Sequence, residues 1–149
     1  MDAGAQLDAF IDRYSPQVAS DCRCALSFLE QRLPTATRLV YDNYNALVVG
    51  FGPTDKASQA ILSIALYPEY VRLFFLRGIE LNDPGGTLEG KGSQVRSVKL
   101  HPISRIEGAD IVALIDSAVA NAYPLPRTGK GKLIIKAIAA KQRSRRPAA

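Results

Sequence analysis

Histidine occurs once in this chain, at position 101, and that scarcity removes more functions than any other compositional feature. A multi-His metal centre or a His-based nucleophilic triad needs imidazoles that are not there. His101 itself precedes Pro102 at the end of a β-rich run, which reads as a surface or edge position. Cysteine is nearly as scarce, with Cys22 and Cys24 forming a lone C-x-C. On a helix, residues two apart point about 200° away from each other, so this pair neither bridges nor shares a metal. The spacing predicts one core thiol and one surface thiol. Long apolar runs are missing too. Ala57 to Tyr67, the longest nearly uncharged stretch, falls well short of the ~20 residues that cross a bilayer. The N-terminus carries Asp2 and Asp8 and lacks a basic segment ahead of an apolar one, so no secretory signal is read there. The expectation is a cytoplasmic protein with no membrane partner.

Acidic residues are absent from Arg127 onward, while eight Lys and Arg fall in that stretch. The preceding body holds eleven cations against all fourteen acids, so the net charge of +5 belongs to the end of the chain. At 149 residues one domain suffices. The expected division is a body over 1–138 and a basic, flexible end over 139–149.

The body has clear periodicities. Leu7, Phe10, Ile11 and Tyr14 form the stripe of a short helix. Ser15-Pro16 supplies a cap and a first-turn proline for a second helix, which runs to Leu33 before Pro34. Ala46–Phe51, Ala60–Tyr67, Tyr70–Leu76 and Val95–Leu100 read as strands, and Lys132–Ile138 as a last strand at a sheet edge. Only Pro68-Glu69 separates the second and third runs, which predicts an antiparallel hairpin. Asp42-Asn43, between Tyr41 and Tyr44, reads as a turn. Ser104-x-x-Glu107 is a candidate capping box for a third helix carrying Ile111, Leu114, Ile115, Ala118, Val119 and Ala122. Helices segregated from an antiparallel sheet define a two-layer α+β domain.

Gly85 to Gly92 approaches a phosphate-binding loop, with Gly85, four residues, Gly90 and Lys91. Gly92 stands where the P-loop needs Ser or Thr, and a strand pattern rather than a helix follows. Nucleotide hydrolysis is therefore not read from it. The segment still combines glycines, which let backbone N–H groups approach a ligand, with the cations Arg77, Lys91 and Arg96. The candidate anion site is Arg77, Gly90, Lys91, Gly92 and Arg96.

This region also resembles a known family. Arg77-Gly78, the Leu81-Asn82-Asp83-Pro84 turn, Leu88-Glu89-Gly90-x-Gly92, Arg96 and Val98-Lys99-Leu100 are similar to the signature of the YdhG-like family. These are small bacterial proteins of unknown function, some described as frataxin-like iron chaperones. Leu133-Ile134-Ile135-Lys136 through Ala140-Lys141-Gln142-Arg143 to Arg145-Arg146 resembles a subgroup of it. That subgroup often carries His just after the strand arginine, where Ser97 stands here. A role resting on that imidazole does not transfer. The resemblance implies a frataxin-like arrangement of helices on an antiparallel sheet and no established enzyme activity.

With no acid/base or nucleophilic set in view, the expected function is non-enzymatic binding of a small anionic ligand or partner through the 77–96 segment. One alternative is a frataxin-like iron carrier. Fe²⁺ held at a surface prefers oxygen ligands, and Asp8 and Asp12, four apart on the first helix, share a face. The other is non-specific, electrostatic nucleic-acid binding through the basic C-terminus.

Overall fold

The computed structural model describes residues 1–148. Helix α1 (Ala3–Asp12) starts where the Asp2 carboxylate accepts the Ala5 N–H at 2.8 Å. Helix α2 (Pro16–Arg32) follows at once, with Ser15 Oγ accepting the Val18 N–H at 3.4 Å and Pro16 in the first turn. A proline is harmless there because that turn has no intrahelical acceptor for its missing N–H. The buried stripe of α2 is Val18, Ala19, Cys22, Ala25, Leu26 and Leu29, so the C-x-C divides as its spacing predicts, Cys22 buried and Cys24 exposed.

Six strands follow: β1 (Thr37–Asp42), β2 (Leu47–Gly52), β3 (Leu62–Leu66), β4 (Val71–Phe75), β5 (Arg96–Lys99) and, after helix α3 (Ala109–Ala120), β6 (Leu133–Ile138). They form one sheet in the order β5-β4-β3-β2-β1-β6, antiparallel throughout except that β6 runs parallel to β1. Register is set by alternation. Leu47 faces Leu66, Ile64 faces Leu73 and Leu73 faces Val98, so one side of every pair is apolar and a one-residue slip would expose it. The helices lie on that side, and Ile11, Tyr14, Leu29, Phe51, Phe75, Ile111 and Ile115 share one core. The result is the two-layer α+β domain read from the sequence. Among the described residues, no helix is long and apolar enough to cross a membrane.

Three local expectations are corrected. Residues 37–42 form β1, and the turn begins only at Asn43, whose N–H donates to the Ala46 carbonyl at 3.0 Å. The Ser104–Glu107 capping box does not form. Ile103–Glu107 is a short 3₁₀ turn and α3 starts after Gly108 with no side-chain cap. The Asp110 carboxylate instead accepts the Ile111 N–H at 2.8 Å and the Thr87 hydroxyl at 3.0 Å, which together hold its pKa below the usual value.

The third correction concerns the C-terminus. The end of the chain, expected as a flexible basic segment, contacts the body from Ala139 to Arg146; Ala149 lies outside the described residues. Leaving β6, Ala139 N–H donates to the Asp42 carbonyl at 2.8 Å and Arg143 N–H to that of Tyr44 at 2.9 Å. Arg145, 4% exposed, then enters the body. Its guanidinium lies 2.9 Å from the Asp42 carboxylate and 2.5 Å from the Asn43 carbonyl, and stands over the Tyr14 ring. The Tyr14 hydroxyl donates to the Leu66 carbonyl and accepts the Leu47 N–H, at 3.0 and 3.1 Å.

Two outcomes follow from this arrangement. Arg145→Ala leaves Asp42 buried with only Arg13, 3.4 Å away, as a cationic partner. That costs about 3 kcal/mol, as expected for half of a buried ion pair, and urea denaturation shows it as a lower midpoint. An unchanged midpoint would mean that the end of the chain contributes nothing to the fold. Burial also pushes the Cys22 thiol up to about 12, above the ~8.5 of an unfolded cysteine. The neutral folded thiol therefore contributes fully below that unfolded value, and the contribution is lost as pH rises through the window toward the folded one. A thiol reagent at mildly alkaline pH should label Cys24 quickly and Cys22 only after unfolding.

Candidate functional site

The residues expected to hold an anion are close in the chain, but both of their arginines already have partners. Arg77 leaves β4 and closes on Glu80 within the Gly78–Glu80 turn, with Nε and Nη2 at 2.7 and 3.2 Å from the carboxylate. Arg96 starts β5, and its Nη1 donates to the carbonyls of Gly92 and Val95 at 2.6 and 2.8 Å. Its stem lies on Gly78, where a Cβ would stand 2.5 Å from Arg96 Cβ. Gly78 is thus needed so that the chain can pass Arg96. Gly90 sits beside the same side chain, while Lys91 and Gly92 are exposed on the connecting loop.

The N–H groups of the first half of the loop, from Gly86 to Glu89, are also bound. The Asp83 carboxylate accepts from Thr87 and Leu88 at 2.9 and 2.8 Å, and Glu89 pairs with Ser97 through both backbone bonds. Ser97 accepts from Arg72 Nε at 2.8 Å, and Arg72 continues to Glu89 at 3.1 Å. Up to Glu89 the Gly-rich segment is in this geometry a self-bonded connector; from Gly90 to Val95 it is held through carbonyls, those of Gly92 and Val95 accepting from Arg96 and that of Gln94 from the Ile79 N–H. Arg77 and Glu80 border a cavity of about 40 Å³ lined by Ile61, Phe75, Leu81 and Ala118, room for no more than two or three waters.

The candidate iron ligands fare similarly. Asp8 and Asp12 do share the exposed face of α1, but Arg23 of α2 lies between them, 2.9 Å from Asp12 and 3.9 Å from Asp8. Asp2 is occupied as the α1 cap. Among the described residues, no three His, Cys, Asp or Glu side chains come together as a metal site would require.

A different site appears where β1 and β6 begin. The segment before β6 is laced to the segment before β1, with Gly131 N–H to the Pro34 carbonyl at 3.1 Å and Arg38 N–H to the Lys132 carbonyl at 2.8 Å. Gly131 is obligatory, since a Cβ there would fall 1.7 Å from the Ala36 carbonyl oxygen. Across the gap, Lys136 Nζ holds the β2–β3 loop through the Asp55 carbonyl at 3.1 Å. Between these lies a groove of about 410 Å³ bordered by Thr35, Thr37, Thr54, Thr128, Lys130 and Lys132. Asp55 is the one acid on its wall. Among the described residues, neither the Lys130 nor the Lys132 ammonium makes a hydrogen bond or ion pair. Hydroxyls and free ammonium groups around one concavity suit an anion with several oxygens.

Sequence reasoning counted Lys130 and Lys132 only as part of a basic end. The readable signal was Thr128-Gly129-Lys130-Gly131-Lys132, cations alternating with glycine outside any helix. The threonines were out of reach, because Thr35, Thr37 and Thr54 join the lysines only through the β1–β6 pairing. Comparison of the chain with protein-family models, curated proteins and solved structures finds no match in any of them. The YdhG-like resemblance therefore rests on the sequence motifs alone.

The Arg23 bridge gives a direct test of the iron reading. Calorimetric titration with Fe²⁺ should yield the same heats for the natural protein and for Asp8→Asn, Asp12→Asn. A saturable heat lost in the double variant would restore these carboxylates as ligands.

Proposed function

We propose that the protein is a non-enzymatic binding domain for a phosphate-bearing ligand, seated in the groove where β1 and β6 begin. The observation that carries this reading is the contrast among its cations. Arg77, Arg96, Arg23 and Arg145 all contact acceptors of their own chain. Lys91 is free but alone on its loop, whereas Lys130 and Lys132 stand free together beside four threonines. Among the described residues, only Thr54 of the four already donates its hydroxyl, to Gln59. A lysine ammonium is a mobile point charge that can follow a phosphate, and hydroxyls supply the shorter, directional bonds. The anion-binding expectation is kept, and its location moves from the 77–96 segment to a groove whose cations lie more than thirty positions later in the chain and whose other hydroxyls come from Thr35, Thr37 and Thr54. The YdhG-like resemblance, with no established enzyme activity attached to it, is compatible with a binding role. The iron alternative is weaker, since Arg23 already neutralises the acids it needs.

Chemical-shift mapping with inorganic phosphate and pyrophosphate at physiological ionic strength tests the proposal. Perturbations should centre on Thr35, Thr37, Thr54 and residues 128–132. Lys130→Ala, Lys132→Ala should weaken binding about tenfold or more, the loss expected for charge-assisted hydrogen bonds. Perturbations confined to residues 77–96 and abolished by Arg96→Ala would return the site to the Gly-rich loop.

A further inference from the structure

At the opposite end of the sheet, four segments distant in sequence bring tyrosines and cations together. Because neighbouring strands alternate in direction, the β1–β2 turn, the β3–β4 turn and the exit of β5 all emerge at this end. Tyr67 and Tyr70 stack across the β3–β4 turn, with ring centroids 5.0 Å apart and planes inclined by 27°. Lys99, at the end of β5, places Nζ 4.7 Å from the Tyr70 centroid. Tyr44 projects from the β1–β2 turn and is 43% exposed. Arg143, brought there by the docked C-terminal segment, stands 5.5 Å from its ring centroid.

The two turns are two strand spacings apart, roughly 10 Å. Between them Asn45, Tyr67, Pro68, Arg143 and Ser144 border a groove of about 420 Å³. The order along this end is therefore cation, aromatic, groove, aromatic pair, cation. Glu69 is the one acid in the two turns, and Asp42 beneath them is covered by Arg145 and Arg13.

We propose that this end of the sheet binds single-stranded nucleic acid, with bases stacking on Tyr44 and Tyr67 and phosphates meeting Arg143 and Lys99. Aromatic faces interleaved with cations are what an unpaired strand requires, since each base offers a π-face and each linkage a negative charge. A duplex keeps its bases inside and presents only phosphates, which two cations hold weakly. The site is separate from the groove at the start of β1 and β6, and the two stand or fall independently. It also gives the basic C-terminus a fixed role, because docking aims Arg143 at Tyr44.

Fluorescence anisotropy with a labelled oligodeoxythymidylate, a matched duplex and an unlabelled inorganic polyphosphate competitor tests this. The single strand should bind more tightly than the duplex, and polyphosphate should compete poorly. Tyr44→Ala and Tyr67→Ala should each weaken binding about tenfold, the usual loss for one stacked base, while Tyr67→Phe keeps it. Two phosphate contacts imply a loss of about sevenfold between 50 and 200 mM salt. Lys130→Ala, Lys132→Ala should leave this binding unchanged. If Tyr67→Ala unfolds the protein, Tyr44→Ala and Tyr67→Phe still decide the matter. Equal affinity for duplex and single strand, indifference to Tyr44→Ala, or no binding at low salt would each overturn the proposal. Loss of binding only in the lysine variant would assign it to the other groove and to charge alone.

Discussion

Asp42 is the last residue of β1, 2% exposed, and its carboxylate is tolerable there only because Arg145 reaches it from the far end of the chain. Removing two charges from water costs several kcal/mol each, and the return depends on geometry and on satisfying the remaining donors. Here Arg145 also donates to the Asn43 and Tyr44 carbonyls, leaving only its buried Nε without an acceptor, while Arg13 approaches the other carboxylate oxygen. Gln142 adds a bond to the Asp42 carbonyl at 2.9 Å and accepts from Arg13 at 2.6 Å. One buried acid thereby joins the turn after α1, the β1–β2 turn and the C-terminal segment. An apolar pair of similar volume would serve stability as well, but it would not specify which turn the C-terminal segment must meet.

Arginine and lysine divide the work of the fold. Arg38 bonds Glu30, Arg32 bonds Asp116 and Arg105 bonds the Lys99 carbonyl. In this respect they resemble Arg72, Arg77 and Arg96, whose planar donors suit fixed carbonyls and carboxylates. The unengaged positive charge rests largely on lysines, Lys91, Lys130 and Lys132 among them. A net charge taken from composition cannot separate these two populations. The useful quantity for partners is the charge left after the chain has satisfied itself.

Periodicity carried most of the architecture. The stripe of α2, its Ser15-Pro16 start and the β3–β4 hairpin were all readable, because each is decided within a few residues. β1 was not. Thr-Arg-Leu-Val-Tyr-Asp places a cation and an acid on the side that faces the core, and what makes them acceptable there is Glu30 in one case and Arg145 in the other. Ser104 mimicked a cap, yet the chain turns once more before α3 begins. The candidate sites failed or emerged for the same reason. Local sequence showed that Arg77 and Arg96 were charged, but their acceptors are set by the path of the turn. The Thr and Lys groove and the tyrosine end are products of strand order.

Strand order also has a consequence in time. β6 completes the sheet beside β1, and the contacts of Gln142 and Arg145 with Arg13, Asp42 and Asn43 span a hundred residues or more. A chain emerging from the ribosome makes its earliest-synthesised strand wait for its last. Until then β1 has an open edge and Asp42 lacks its main cation. Local hairpins can assemble early in synthesis, but closure waits until residues 133–145 have been made, and a chain truncated before Arg145 lacks the contact that finishes the fold.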